Sequence, residues 1–127
     1  KENIKKLNIF TRTVSKAEVL IDKYQDSCDI SYFKDGIKYD LIINTTPVSL
    51  NKTEFNFPSN IFDINSIAYD LFYSKTTTSF QDWASSNGAH KSYDGLGMLF
   101  EQAALSFEIW NDFKPNTIGL EKTLGLR

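Results

Sequence analysis

Short apolar runs alternate with stretches of helical periodicity along these 127 residues, and that alternation limits the fold more than any other feature. It is the pattern of parallel strands joined by crossover helices. Leu7 to Phe10 reads as a strand. Ser15 and Glu18 then stand at capping-box spacing, and Ala17, Leu20, Ile21 and Tyr24 repeat at i, i+3, i+4 and i+7 as one apolar face. Ile30 to Phe33 reads as a short strand. Tyr39 to Ile43 is more apolar at its end, as expected of a strand covered on both faces, and stops at the turn signal Asn44-Thr45-Thr46-Pro47. Residues 49–60 read as a polar, proline-containing loop, and Ile61 to Ile64 as a helical turn. Ser66 to Tyr73 is the next strand, with Tyr69, Leu71 and Tyr73 on one face. Thr78 and Gln81 repeat the capping-box spacing, and Phe80, Trp83 and Ala84 supply a helical face that ends near Gly88. Lys91 to Tyr93 is the last strand. A helix from Gly97 carries Leu99, Phe100, Ala103, Ala104, Phe107 and Trp110 as a stripe until Pro115 stops it, and a short helix is expected in the tail.

The resulting fold class is α/β, a Rossmann-like, doubly wound and mainly parallel sheet that lacks its beginning. Such a domain starts with a strand, a Gly-rich turn and a helix whose N-terminus holds a pyrophosphate. Only six residues precede Leu7, and they fit the tail of that helix. Gly95-Leu96-Gly97 is the one G-x-G, and Phe100 fills its third glycine position, so it is no phosphate fingerprint. Residues 1–127 therefore read as a partial dinucleotide-binding domain with C-terminal helices. A missing first strand predicts an unpaired edge, or pairing of two chains as a homodimer.

Composition excludes several other classes. Hydrophobic residues make up 41% and charged residues 24%, and the net charge is −2, so no nucleic-acid or anionic-membrane partner is expected. No apolar run approaches the roughly 18 residues of a membrane span, and Lys1 to Lys6 lead into no signal-peptide core. Cys28 is alone, which excludes an internal disulfide and a Cys-rich zinc site. A reducing, cytoplasmic location is the expectation. His90 has no nucleophile–acid arrangement around it, so neither a hydrolytic triad nor a metal site is indicated.

Ligands of open α/β sheets gather at the carboxyl ends of the strands. At the first of these ends, a chain selective for a free ribose 2′-hydroxyl carries an acid. Residues 7–14 contain none and offer Arg12 between Thr11 and Thr13, with Lys16 a step further. A guanidinium, hydroxyls and an ammonium suit a 2′-phosphate, although a solvated basic residue beside a helix cap has the same spacing. Asn44 to Pro47 reads as a polar strand end or a plain Asx turn. Asp70 lies inside an apolar strand and must find donors. A structural acceptor for loop amides fits it better than a general base. Gln102 sits between Met98 and Ile109 on the helical wheel and calls for a partner, from the protein or a ligand.

Four segments then resemble the shikimate dehydrogenase family. NIFTRTVSKAEVL (8–20) is similar to its I-x-N-R-T-x-x-K-A-x-x-L segment, and LIINTTP (41–47) to its I-I-N-A/T-T-P/S strand end. AYDLFYSKTTTSFQDWASSNGA (68–89) is similar to its Y-D-M-x-Y stretch, and DGLGMLFEQAALSFEIW (94–110) to its D-G-x-x-M-L-x-x-Q-A block. The resemblance implies reduction of 3-dehydroshikimate to shikimate with NADPH. It implies cofactor contacts at Thr11, Arg12, Thr13, Lys16, Thr46, Leu71 and Gly95, and substrate contacts at Tyr73 and Gln102. It also implies that the catalytic lysine–aspartate pair lies in an N-terminal domain outside these 127 residues, so that this chain alone does not turn over shikimate. Thr11 replaces the usual Asn, Ser74-Lys75 a frequent proline step, and Ser49 a frequent glycine. The alternatives are an NAD-using quinate/shikimate dehydrogenase, which would more naturally carry an acid near Thr11 to Thr13, and a non-catalytic domain of the same fold.

Overall fold

In the computed structural model, residues 4–49 and 57–126 are described. The elements follow the expected order: β1 (Leu7–Ile9), α1 (Val14–Tyr24), β2 (Ile30–Tyr32), β3 (Leu41–Asn44), β4 (Ile67–Asp70), α2 (Ser79–Ser86), β5 (Lys91–Tyr93), α3 (Leu96–Asn111) and α4 (Leu120–Thr123). The chain divides into two compact units, Lys1–Ile37 and Lys38–Arg127.

In the first unit, β1 and β2 pair in parallel with Leu7 opposite Ile30 and Ile9 opposite Tyr32, and α1 is the crossover. Asn8 ties the strands further by donating its amide to Ser31 Oγ at 2.7 Å and to the Tyr32 carbonyl at 2.9 Å. Ala17 and Ile30 are buried. Of the expected helical face only Ala17 is fully enclosed, and Leu20 and Tyr24 remain exposed. The Ser15–Glu18 capping box does not form. Helix α1 begins at Val14, which makes Thr13 the N-cap, with no side-chain cap bond. Ser15 already has helical backbone there and cannot reach back over the first turn.

Glu18 instead lies beside Tyr32. Partial burial, the Glu18 carboxylate with its hydrogen bond, and then Asp22 raise the Tyr32 phenol above its ordinary 10.0. All three favour the neutral phenol in the fold. Its contribution to stability is therefore complete below pH 10.0 and is lost as pH rises through the folded pKa. The phenolate absorbance of Tyr32 is expected to emerge at higher pH in the folded chain than in urea. Tyr32→Phe should remove that late step, and unchanged titration in urea would refute the assignment.

In the second unit, β3, β4 and β5 form a fully parallel sheet in that order. Asn44 stands opposite Asp70, and Tyr69 opposite Tyr93. Helix α2 is the crossover from β4 to β5 and packs on both. Both of its ends are closed by local chemistry. Thr78 accepts from Gln81 N while Gln81 returns its side chain to the Thr78 N–H, the expected capping box. Gly88 takes φ +93°, and Gly88 and Ala89 N–H groups bond back to Ser85 and Ala84 carbonyls, a Schellman turn that needs the left-handed conformation. Phe57, Phe62 and Phe80 surround Trp83 with ring centroids 5.3–5.7 Å away. Phe62 and Phe80, with Ile61, Ala68, Ala84, Leu96 and Ala104, make the buried core, and Phe57 and Trp83 are half-buried at its margin.

Four expectations change here. Residues 61–64 form turns and no helix, because Ser66 Oγ accepts from the Asp63 N–H and donates to the Tyr39 carbonyl, holding the segment open. Strand β4 covers only Ile67–Asp70 of the expected run Ser66 to Tyr73. The Phe72 N–H turns onto the Asp70 carboxylate, so Leu71 and Tyr73 do not continue the face of Tyr69. Strand β3 is not covered on both faces: Leu41 is 52% and Ile43 51% exposed. Helix α3 begins one residue earlier, at Leu96, and buries only Leu96 and Ala104. Its apolar residues run round the helix, so packing on one side leaves Leu105, Ile109 and Trp110 exposed. Residues 50–56 of the expected loop lie outside the described residues.

Candidate functional site

In the second unit the carboxyl ends of β3 and β4 are tied to the start of α2 by one buried acid. Asp70 has no exposed surface. Its Oδ1 accepts from Asn44 Nδ2 at 2.9 Å and from the Phe72 N–H at 3.2 Å. Its Oδ2 accepts from Ser49 Oγ and Thr78 Oγ1, both at 2.6 Å. A buried carboxylate is tolerable only when its lone pairs are filled in this way. Asp70 is thus the structural acceptor expected of it, with side chains as three of its four donors. It joins the end of β3, the following loop, the turn after β4 and the cap of α2.

The departure at position 49 now has a role, since Ser49 supplies one of those donors where a glycine could not. Asn44 also closes the turn beyond β3: its Oδ1 accepts from the Thr46 N–H at 3.0 Å and from Thr46 Oγ1 at 2.7 Å. The strand end is therefore the Asx turn that its residues suggested, and Thr46 keeps an exposed side chain.

A second acid locks the neighbouring corner. Asp94 is buried. Its Oδ1 accepts from the Leu96 N–H at 3.2 Å at the start of α3, and its Oδ2 from the Ser74 N–H at 3.4 Å. Gly95 donates its N–H to the Phe72 carbonyl at 3.0 Å. A Cβ on Gly95 would stand 2.1 Å from the Leu71 carbonyl oxygen. No side chain fits, so glycine here permits a backbone-to-backbone approach.

Tyr73, 44% exposed, follows this latched segment. It lines a pocket of about 230 Å3 with Ser74, Lys75, Leu96 and Leu126. Leu71 is 37% exposed at the same corner. Gln102 is exposed on α3, does not line that pocket and hydrogen-bonds to no described residue. The protein partner that its position called for is therefore absent among the described residues.

The remaining expected contacts lie in the first unit, at the carboxyl end of β1. Thr11 Oγ1 accepts from the Thr13 N–H at 3.3 Å. Arg12 and Lys16 are exposed and form no ion pair with a described residue. Beside them is a cavity of about 200 Å3 lined by Ile9, Phe10, Thr11, Val14, Tyr32 and Phe33. Phe10 meets Phe33 edge to face, with centroids 5.3 Å apart. A cavity walled by aromatic side chains, with Thr11 and Val14 on its lining and two cations that have no ion-pair partner among the described residues close by in the chain, suits a flat heterocycle carrying a phosphate. The residues present therefore fit a phosphorylated adenosine.

His90 is exposed, and Cys28 is half-buried with its Sγ 3.8 Å from the Tyr24 carbonyl. Among the described residues no His, Cys, Asp and Glu group is placed to hold a metal, and no helix is long and apolar enough to cross a membrane.

Residues 95–118 match the model of the shikimate 5′-dehydrogenase C-terminal domain. The shikimate dehydrogenase (NADP(+)) of Vibrio campbellii is 42% identical over 114 residues, which cover 86% of this chain and 40% of that protein. Over most of its length this chain is similar to shikimate dehydrogenases, and its residues 95–118 to their C-terminal domain. It spans about 40% of the length of the curated relatives it matches.

Solved structures agree in fold. An Ael1 enzyme from Pseudomonas putida is similar with a TM-score of 0.80 at 30% identity, over 94% of this chain and 45% of that one. Shikimate 5-dehydrogenase from Thermus thermophilus, solved with NADP(H) and shikimate, has a TM-score of 0.67 at 27% identity, over 87% of this chain and 42% of that one. The α/β class with parallel strands is thereby established.

Residue patterns pointed to Arg12, Tyr73 and Gln102 but gave no bonding role to Asp94 or Ser49 and did not pair Phe10 with Phe33. Asp94 had a local signal, an Asp-Gly step directly before a helix. Ser49 had none, because its partner lies 21 residues away.

Proposed function

We propose that this chain is the cofactor-holding portion of an NADP-dependent shikimate dehydrogenase, which reduces 3-dehydroshikimate to shikimate. One observation carries the cofactor preference. The end of β1 presents Arg12 and Lys16 with no ion-pair partner among the described residues, with Thr11 and Thr13 between and beside them, where selectivity for a free ribose hydroxyl requires an acid. The guanidinium binds the 2′-phosphate as a planar fork, Lys16 adds a point charge, and the cavity lined by Phe10, Tyr32 and Phe33 receives the base.

In the second unit, Thr46, Leu71 and Gly95 line the cofactor's path along the strand ends. Tyr73 and Gln102 orient the substrate through a phenol and an amide. When bound, the cofactor supplies hydride to the substrate carbonyl. This chain binds, orients and excludes water, which is the proximity component of the rate. The proton-transfer pair belongs to the part of the relatives that this chain does not span.

The test is a chimera in which this chain replaces the matching C-terminal segment of the V. campbellii enzyme. Arg12→Ala should weaken NADPH binding about 10- to 100-fold, the worth of a charge-assisted bidentate contact. NADH binding should stay unchanged. Equal effects on both cofactors, read by fluorescence titration, would sink the 2′-phosphate assignment.

A further inference from the structure

We propose that Asp70 and Asn44 together fix the hydrogen-bonding polarity of Thr46, so that its hydroxyl meets the cofactor as an acceptor and selects a ligand group that donates. The proposal rests on the cofactor reading above, which places Thr46 against the dinucleotide.

The argument begins at the buried end. A carboxylate can only accept, and all four contacts of Asp70 come from donors. Thr78 Oγ1 already accepts from the Gln81 N–H, so its single hydrogen is free to point at Asp70. Ser49 likewise stands 3.5 Å from the Ser79 hydroxyl, which donates to it, and turns its own hydrogen to the carboxylate.

Asn44 comes next. The oxygen and nitrogen of an amide are alike in shape, and chemistry must tell them apart. Here both ends give the same answer. The atom 2.9 Å from Asp70 Oδ1 must be the NH2 group, because two bare oxygens would repel. The atom 3.0 Å from the Thr46 N–H must be the carbonyl oxygen, because a backbone N–H can only donate. Asn44 is 4% exposed, so water is not there to substitute for either partner.

Thr46 is the last link. Its Oγ1 stands 2.7 Å from Asn44 Oδ1, an oxygen with no hydrogen. The one hydroxyl hydrogen of Thr46 is therefore spent inward. What the exposed side of Thr46 offers a ligand is lone pairs. A phosphate or carboxylate oxygen at that point would meet lone pairs with its own and be disfavoured. An amide N–H or a sugar hydroxyl would be accepted. Within a dinucleotide this excludes the pyrophosphate and leaves the adenine amine, the nicotinamide carboxamide and the ribose hydroxyls. The cofactor reading above gives the adenine to the end of β1, so the last two are the donors to test at Thr46.

The experiment uses the same chimera with three ligands: NADP, its 3-acetylpyridine analogue, which has a methyl ketone for the carboxamide, and an analogue lacking the nicotinamide-ribose hydroxyls. Thr46→Val keeps the shape and removes the hydroxyl. It should weaken NADP binding about tenfold, one hydrogen bond's worth, and Thr46→Ser should restore it. With the analogue that lacks the accepted donor, parent and Thr46→Val should bind alike, while the other analogue keeps the tenfold difference. That result also names the donor. A tenfold loss with both analogues, or none with NADP, overturns the proposal. Failure of the parent chimera to bind NADP sinks the cofactor reading instead. The polarity is then read by NMR on this chain, where a Thr46 hydroxyl proton slow to exchange and close to the Asn44 side chain supports it. A rapidly exchanging one overturns it.

Discussion

Asp70→Ala is expected to destabilise this chain by about 3–5 kcal/mol, the cost of stripping the acceptor from a fully buried network. Four donors would lose their partner at once: Asn44 Nδ2, Ser49 Oγ, Thr78 Oγ1 and the Phe72 N–H. Hydroxyls can rotate towards other acceptors, but the buried Asn44 amide and the Phe72 N–H fixed in the turn after β4 cannot. The network also joins four segments, so its loss is not local. Native domains are stable by only about 5–15 kcal/mol, and the variant should therefore unfold at far lower urea concentration. Trp83 reports the transition, since it packs against Phe80 and Phe62 in the same unit. A midpoint within error of the parent's would show that Asp70 is not the tie described. Asp70→Asn should lie between the two, because one oxygen is kept and hydroxyls can reverse to meet the amide.

Gly95→Ala is the second large effect, of the opposite kind. Nothing is removed. A methyl group is forced to 2.1 Å from the Leu71 carbonyl oxygen. That oxygen belongs to the backbone, so no rotamer change relieves the clash. Either the start of α3 or the turn after β4 must move, breaking the Gly95 N–H bond to Phe72 and the Asp94 bond to Ser74. Overpacking of this type costs about 1–3 kcal/mol and more when backbone must shift, so about 3 kcal/mol or above is expected. Gly97→Ala is the control two residues on. A Cβ there meets nothing within 4 Å, and alanine favours the helix interior by up to about 1 kcal/mol. Thermal melts of the pair should therefore shift in opposite directions. Two equal shifts would mean that the contact with Leu71 does not govern position 95.

The two acids illustrate what a residue pattern can and cannot convey about a site. Asp70 was conspicuous because a charge in an apolar strand must be satisfied, and its structural role followed from that need alone. Which groups would satisfy it did not follow, since Asn44 and Ser49 lie 26 and 21 residues away. The Asx turn at Phe72 also shortened β4, and with it the inference that Tyr69, Leu71 and Tyr73 share a face. Asp94 was overlooked because its value lies in reaching Ser74, 20 residues back. The failed capping box at Ser15 and the realised one at Thr78 make the same point at shorter range. Identical spacing gives a cap only where the preceding residue leaves the helix, and at Ser15 the helix had already begun at Val14.

What the sequence determined by itself was local or periodic: the order of strands and helices, the cap of α2, the left-handed turn at Gly88, and the basic, acid-free end of β1. Each depends on residues within a few positions of one another, where chain geometry leaves few choices. The tertiary structure alone decided the rest: the donors that fill Asp70, the approach of Leu71 that only glycine at 95 allows, and the direction in which the Thr46 hydroxyl points. Those depend on strands that are neighbours in the sheet and strangers in the chain. Only pairing in register brings Asn44 opposite Asp70, and a hydrogen bond acquires its direction only when both partners are in place.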